Sequence, residues 1–273
     1  MNYSIFSNGK PVKDPAVFED FAAGGEMGIF ESLRTYRGKI FRLEDHLKRF
    51  MESAQTAGLS SRISLAALRQ ELKSALHAFM IQGPDPREDL FIRLSGWKGK
   101  TYVFIGQRKH AEALYQEGIA LKTSPVKRSL TNAVPAEVKT SAYHNAVLAS
   151  LEPGTAYEWL FLDRSGFVTE VRIGNFFILK DGGLKTPSTQ GILNGVTRRF
   201  VIECARQLEI PVQETLITRH EVYNADEAFL TNTSWEILPV RELDGRLIGR
   251  KIPGLLTLKL HEIFKQKALQ ECR

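Results

Sequence analysis

Residues 176–210 read FFILKDGGLKTPSTQGILNGVTRRFVIECARQLEI. The first half is two short apolar runs around Asp181-Gly182, the turn chemistry of a β-hairpin. The second half, from Gly195 to Ile210, repeats apolar residues at helical spacing and predicts an amphipathic helix. A hairpin that runs straight into a helix, with no regular strand-helix-strand alternation, points to a mixed α+β fold and away from a doubly wound sheet. The flanks agree. WLFLD (159–163) and FVTEV (167–171), separated by Gly166, predict strands upstream. EAFLTNTS (227–234) and EILPVRELDGRLIG (236–249) predict strands downstream, and a helix begins at Leu255.

The N-terminal part has the same mixed character. SIF and KPV flank Asn8-Gly9, a hairpin signal. FRLEDHLKRFMESAQTAG (41–58) carries Leu43, Leu47, Phe50 and Met51 at helical spacing, and Gly58 is placed to end the helix. Ser64 can cap a second helix over 65–80. LFIRLSGWKGKTYVFIG (90–106) reads as two strands around a glycine-containing turn. The polar stretch QRKHAEALYQEG (107–118) then marks a boundary, giving a smaller N-terminal domain over 1–112 and a larger C-terminal domain over 113–273. There is no internal repeat and no low-complexity segment.

Composition narrows the function. The chain has 273 residues, 43% hydrophobic and 25% charged, enough to bury a substantial core and too apolar for disorder. No run approaches the roughly 18 apolar residues of a membrane span, so no membrane partner is expected. MNYSIFSNGK lacks a basic start and a long apolar region, so a secretory leader is not expected. Cys204 and Cys272 cannot form a disulfide framework and read as free thiols, consistent with a reducing, cytoplasmic compartment. The net charge of +6 is scattered in small groups such as Arg108-Lys109-His110, Lys127-Arg128 and Arg198-Arg199. That pattern suits anionic small molecules better than a nucleic acid, which would select a basic stripe with stacking aromatics.

Common catalytic signatures are absent. There is no GxGxxG, no GxxxxGK[ST], no HExxH, no CxxC and no GxSxG, and the six histidines have no metal-ligand spacing. No metal is therefore expected. Two turns stand out instead, Gly195-Val196-Thr197-Arg198 and Thr231-Asn232-Thr233-Ser234, together with the helix carrying Arg49. Gly-Val-Thr at a helix start directs backbone N–H groups, the helix dipole and a hydroxyl to one point, which suits a phosphate as well as a plain N-cap.

Five segments in order extend this reading. GIFESLRTYRGKIFRLEDHLKRF (28–50), VKTSAYHNAVLA (138–149), GFVTEVRIGNFFILKDGGLKTP (166–187), GILNGVTRRF (191–200) and DEAFLTNTSWEILPV (226–240) resemble the fold-type IV, class IV pyridoxal-phosphate enzymes. That family includes branched-chain and D-amino acid aminotransferases and 4-amino-4-deoxychorismate lyases. The resemblance runs from about Gly28 to Phe264. It implies two mixed α/β domains with pyridoxal 5'-phosphate in the cleft between them, and a homodimer.

The resemblance also implies roles. Lys139 matches the Schiff-base lysine, carried by the C-terminal domain, whose amine must be neutral to shuttle a proton. Glu170 matches the carboxylate that keeps the pyridine nitrogen protonated, so that the ring acts as an electron sink. Arg49 matches a phosphate-binding arginine, which Val196, Thr197, Thr233 and the backbone of Asn232 would assist. Tyr143 either hydrogen-bonds the cofactor phenolate oxygen or packs as an aromatic. Arg93 lies where a related arginine approaches the substrate. Two positions depart from the family pattern. Gly25, in Gly25-Glu26-Met27-Gly28, replaces an aromatic of the substrate pocket, and Arg172 stands two residues after Glu170, facing either a substrate carboxylate or solvent. The expected activity is transfer of an amino group between a branched-chain-like or D-amino acid and a 2-keto acid. The alternative is the lyase, releasing pyruvate and 4-aminobenzoate.

Overall fold

The computed structural model describes residues 3–12, 28–59, 63–81, 88–97, 99–128, 135–141, 144–152 and 156–273. The chain divides into two compact units. The first holds residues 1–109, 138–142 and 268–273, and the second holds 110–137 and 143–267. In this division the segment carrying Lys139 belongs to the first unit, as does the end of the chain. Sequence order held no sign of either, because both attach through backbone pairing or a few side chains.

The first unit is built on one antiparallel sheet. Its strands are β1 (Ser4–Ser7), β2 (Lys10–Pro11), β3 (Ile29–Tyr36), β4 (Lys39–Ile40), β5 (Leu90–Trp97) and β6 (Lys100–Gln107), in the order β2-β1-β6-β5-β3-β4. Asn8 and Gly9 take left-handed φ values of 51° and 69°, as a two-residue hairpin turn with the strands' own twist requires. Helices α1 (Leu43–Thr56) and α2 (Leu65–Ile81) cover one face. Ser64 Oγ accepts the Ala67 N–H at 3.4 Å at the start of α2, and Gly58 with φ 70° lies just past the end of α1. Leu33, Leu47, Phe50, Leu72, Ile92 and Val103 form the core between helices and sheet. Each such buried side chain contributes about 1.5–3 kcal/mol. Period-two alternation sends Phe30, Ser32 and Arg34 to the opposite face of β3.

In the second unit the short helix α3 (Ala113–Glu117) leads into β7 (Ile119–Thr123), and α4 (His144–Ser150) precedes β8 (Glu158–Leu162). The strands β9 (Val168–Val171), β10 (Gly174–Lys180), β11 (Gly183–Pro187), β12 (Val212–Thr215), β13 (Glu227–Asn232), β14 (Glu236–Leu243) and β15 (Arg246–Leu247) follow. Between them come α5 (Val196–Gln207) and α6 (Arg219–Tyr223), and α7 (Leu255–Glu271) ends the chain. The pairings close on themselves: β10, β13, β14, β7, β8 and β9 form a ring, because β9 pairs with both β8 and β10. Closure removes free strand edges within the ring. Phe176, Ile178, Leu230, Leu238 and Val240 belong to its core. The Asp181-Gly182 turn and the helix after Gly195 are where the sequence placed them. No helix among the described residues is long and apolar enough to cross a membrane.

Candidate active site

Lys139 lies in an extended piece that adds to the start of β3. Phe30 N–H donates to Lys139 O at 3.0 Å, and Ser141 N–H donates to Gly28 O at 2.8 Å. Thr140 forms an antiparallel bridge with Ile29. The Lys139 N–H donates to Ser53 Oγ of α1 at 3.1 Å. Backbone bonds on both sides therefore fix a residue that sequence reading could place only by resemblance. Its Nζ sits 5.0 Å from the centre of the Phe30 ring, and the Arg93 guanidinium carbon sits 4.0 Å from the same centre. Arg93 Nε also donates to Ser95 Oγ at 3.4 Å. An amine and a guanidinium thus share the face of one aromatic ring.

Arg49 is buried on the same unit. Its Nε and Nη2 donate to Glu31 Oε1 and Oε2 at 2.6 and 2.7 Å, a bidentate pair. His46 Nδ1 lies 2.8 Å from Glu31 Oε2; a carboxylate only accepts, so Nδ1 carries the proton. Burial pushes Glu31 up, but the Arg49 charge and the bonds from His46 and Arg49 outweigh it, holding the carboxyl far below its ordinary value. Burial pushes His46 down, against the pull of Glu31, and the charges of Arg49 and Lys139 act in the same direction as burial. Glu31, His46 and Ser53 were not singled out in the sequence. The available signal was spacing: His46, Arg49, Phe50 and Ser53 stand at i, i+3, i+4 and i+7 and all are buried. The apolar stripe pointed to Leu43 and Met51 instead, which are only partly buried.

In the second unit Glu170 of β9 sits opposite Asn175 of β10, which sits opposite Thr231 of β13. Cross-strand partners share a face, so three buried polar side chains form one row. Glu170 Oε2 accepts from Asn175 Nδ2 and from the Leu193 N–H, both at 3.2 Å. Asn175 Nδ2 also donates to Leu193 O at 2.8 Å. Glu170 Oε1 meets Arg128 Nη2 at 2.7 Å. Thr231 Oγ1 is buried and has no partner among the described residues.

Helix α5 starts beside this row. Its N-cap is Gly195, no side chain caps it, and Val196 and Thr197 are buried in the first turn. A Cβ on Gly195 would fall 2.2 Å from Asn175 Oδ1, so only glycine permits that approach. First-turn amides have no intrahelical acceptor. The Asn232 side chain shapes the neighbouring turn: Oδ1 accepts from Ser234 N and Trp235 N at 2.8 and 2.7 Å. That turn carries Thr233, and Ser234 Oγ meets His110 Nε2 at 2.6 Å.

The structure gives Arg172 a partner other than solvent or substrate. Its Nε and Nη2 donate to the buried Glu158 at 2.8 and 3.1 Å, and Nη1 donates to Ser150 Oγ at 2.5 Å. Glu158 on β8 needs a counter-charge, and Arg172 supplies it while keeping part of its side chain exposed. Burial raises the Glu158 carboxyl, and the bond and charge of Arg172 only partly offset this. Gly25 and Tyr143 lie outside the described residues. No group of three or more histidines, cysteines or acids able to hold a metal occurs among the described residues.

The amino-transferase class IV family model matches residues 28–243. The chain is 35% identical over 255 residues to a branched-chain-amino-acid aminotransferase of Pseudomonas aeruginosa, covering 87% of this chain and 83% of that one. It is 29% identical over 257 residues to a D-alanine aminotransferase of Bacillus licheniformis, covering 89% and 88%. Its fold is similar to the T.th. branched-chain amino acid aminotransferase solved with pyridoxamine 5'-phosphate, with TM-score 0.86, 28% identity, and 99% and 95% of the two chains covered. The chain belongs to the class IV aminotransferases and is an enzyme dependent on pyridoxal 5'-phosphate. The transferase expectation is the one these likenesses support, and the lyase alternative gains nothing from them.

The second unit fits such a cofactor on its own evidence. A phosphate dianion needs convergent N–H and O–H donors, which an uncapped helix start with Thr197 supplies. A buried hydroxyl without a partner among the described residues, Thr231 Oγ1, lies in the same strand row as a buried carboxylate. Beside that helix start, Arg199 Nη1 donates to Asn194 O at 3.1 Å.

Proposed function

We propose that this chain transfers the amino group of a branched-chain L-amino acid to a 2-keto acid, working as a homodimer in the cytoplasm. The observation that carries the reading is the Phe30 ring with Lys139 and Arg93 against it. It offers an amine, a carboxylate receptor and an apolar wall, the three features an apolar amino acid requires. The names of the Pseudomonas and T.th. relatives point the same way.

Within this reading each residue has a task. Lys139 carries the cofactor, and its Nζ takes a proton from the substrate α-carbon and returns one. Glu170 faces the ring nitrogen and holds its proton there. Thr197, the Val196 amide, Thr233, the Asn232 backbone and Arg49, oriented by Glu31, hold the phosphate. Tyr143 and Gly25 lie outside the described residues, and their roles at the phenolate oxygen and in the substrate pocket rest on the resemblance alone. Arg93 takes the substrate carboxylate by its planar fork. The bound cofactor supplies the electron sink that makes α-proton removal feasible. Arg172 is paired with Glu158, and a contact from it to a substrate carboxylate would use the part of its side chain that stays exposed.

The test is the visible absorbance of the protein loaded with pyridoxal phosphate. L-leucine should bleach the yellow band and D-alanine should not. Lys139→Ala should lower turnover by about a thousandfold, within the range of a lost general acid–base. Arg93→Ala should raise KM more than it lowers kcat. Bleaching by D-alanine alone would overturn the branched-chain assignment, and an unchanged KM would remove Arg93 from the carboxylate site. Sedimentation should give twice the 30.8 kDa chain mass.

A further inference from the structure

The Lys127-Arg128 pair reads in sequence as one of several scattered basic groups, yet the structure brings Arg128 to the carboxylate of Glu170. The route is built from backbone bonds. After β7, Ser124 N–H donates to Leu160 O at 2.8 Å and Arg128 N–H donates to Leu162 O at 3.0 Å. Val126 N–H donates to Ser124 Oγ at 3.1 Å, and Asn145 Nδ2 donates to Lys127 O at 2.8 Å. The segment is therefore stapled along β8, whose other neighbour is β9 with Glu170. Arg128 Nη2 ends 2.7 Å from Glu170 Oε1.

We propose that Arg128 is a positioning residue for Glu170, fixing the angle at which that carboxylate presents itself to the cofactor ring. The inference rests on the reading that Glu170 faces the ring nitrogen. Glu170 Oε2 has two amide donors, Asn175 Nδ2 and Leu193 N–H, each at the long distance of 3.2 Å. These are weak restraints on rotation of the carboxyl plane. The contact to Arg128 is much shorter and charge-assisted, the strongest of these three restraints. Its Nε is buried without a partner among the described residues, so the guanidinium is held there at a cost that a purely surface arginine would not carry. A fixed carboxylate keeps its contact with the ring nitrogen short, and a rotating one shares it with water.

The experiment uses the cofactor-loaded protein and three variants, Arg128→Gln, Arg128→Lys and Glu170→Gln. The readouts are circular dichroism in the visible band of the bound cofactor, which reports ring setting, and kcat and KM with L-leucine. Arg128→Gln should change the dichroism and lower kcat about ten- to a hundredfold, the usual loss when a supporting partner of a site ligand is removed, with KM within about threefold. Arg128→Lys, keeping the charge without the planar fork, should fall between that variant and the parent in both readouts. If Arg128→Gln does not fold, a parental dichroism and kcat in Arg128→Lys overturn the proposal, and an intermediate result supports it. Arg128→Gln with parental values, while Glu170→Gln loses both, overturns the proposal and leaves Glu170 in place. Glu170→Gln with parental values overturns the Glu170 reading itself.

Discussion

Each unit of this protein holds an arginine against a buried glutamate, and the two pairs are built for different ends. In the first unit Glu31 is completely buried, and both its oxygens go to Arg49, with His46 added to one of them. In the second unit Glu170 takes one short contact from Arg128 and two long ones from amides, and Arg128 keeps part of its side chain at the surface. The first glutamate is saturated by helix α1. A buried carboxylate held by one helix fixes structure, while one in a row with a buried hydroxyl that has no partner among the described residues reads as a place for a ligand.

The largest expected effect tests that contrast. Glu31→Gln leaves the buried Arg49 without a counter-charge and should lower unfolding stability by about 3–5 kcal/mol. Glu170→Gln should cost less than half of that in denaturant unfolding of the cofactor-free protein, because Arg128 can turn toward water. Equal losses would break the comparison.

Acid sharpens it further. His46 is held below its ordinary 6.5, so the unfolded chain binds a proton first and stability falls as pH drops below about 6.5. Glu31 is held below its ordinary 4.5, so its contribution is full above that value and is lost as pH falls beneath it. Chemical unfolding at pH values descending from neutral into the acid range should show a decline that begins near 6.5 and steepens below 4.5. In Glu31→Gln the lower part should be shallower, with Glu44, Glu221 and Asp244 still contributing to it. The same substitution at Glu170 should leave it steep.

The smallest effect concerns Thr231. Its hydroxyl is buried without a partner among the described residues, so Thr231→Val should leave the cofactor-free protein unchanged or more stable by about 1 kcal/mol or less. The same change should weaken retention of pyridoxal phosphate, measured by dialysis and absorbance. A clear loss of stability without cofactor would show that the hydroxyl serves the fold instead.

The glycine and hydroxyl turns were legible because their chemistry is local. Gly195-Val196-Thr197 opens α5 where a helix start was expected, and Asp181-Gly182 and Asn8-Gly9 make the expected hairpins. Lys139 was legible only by its resemblance, since nothing in its immediate sequence distinguishes it from a surface lysine. The pairing of Arg172 was not legible because its partner Glu158 stands on another strand. Glu31 and His46 were passed over because a helix stripe that contains His, Arg and Ser does not look like a core.

Local backbone chemistry therefore determined the hairpins, the helix ends and the α+β character, since turn and cap preferences act over a few residues. Composition and motif order determined the family. Only the tertiary structure decided that residues 138–142 join the first unit, that β9 and β10 close a ring, and which acid each arginine meets. Those outcomes depend on charges and backbone groups that lie far apart in the chain and become neighbours only after burial makes an unpaired one too costly.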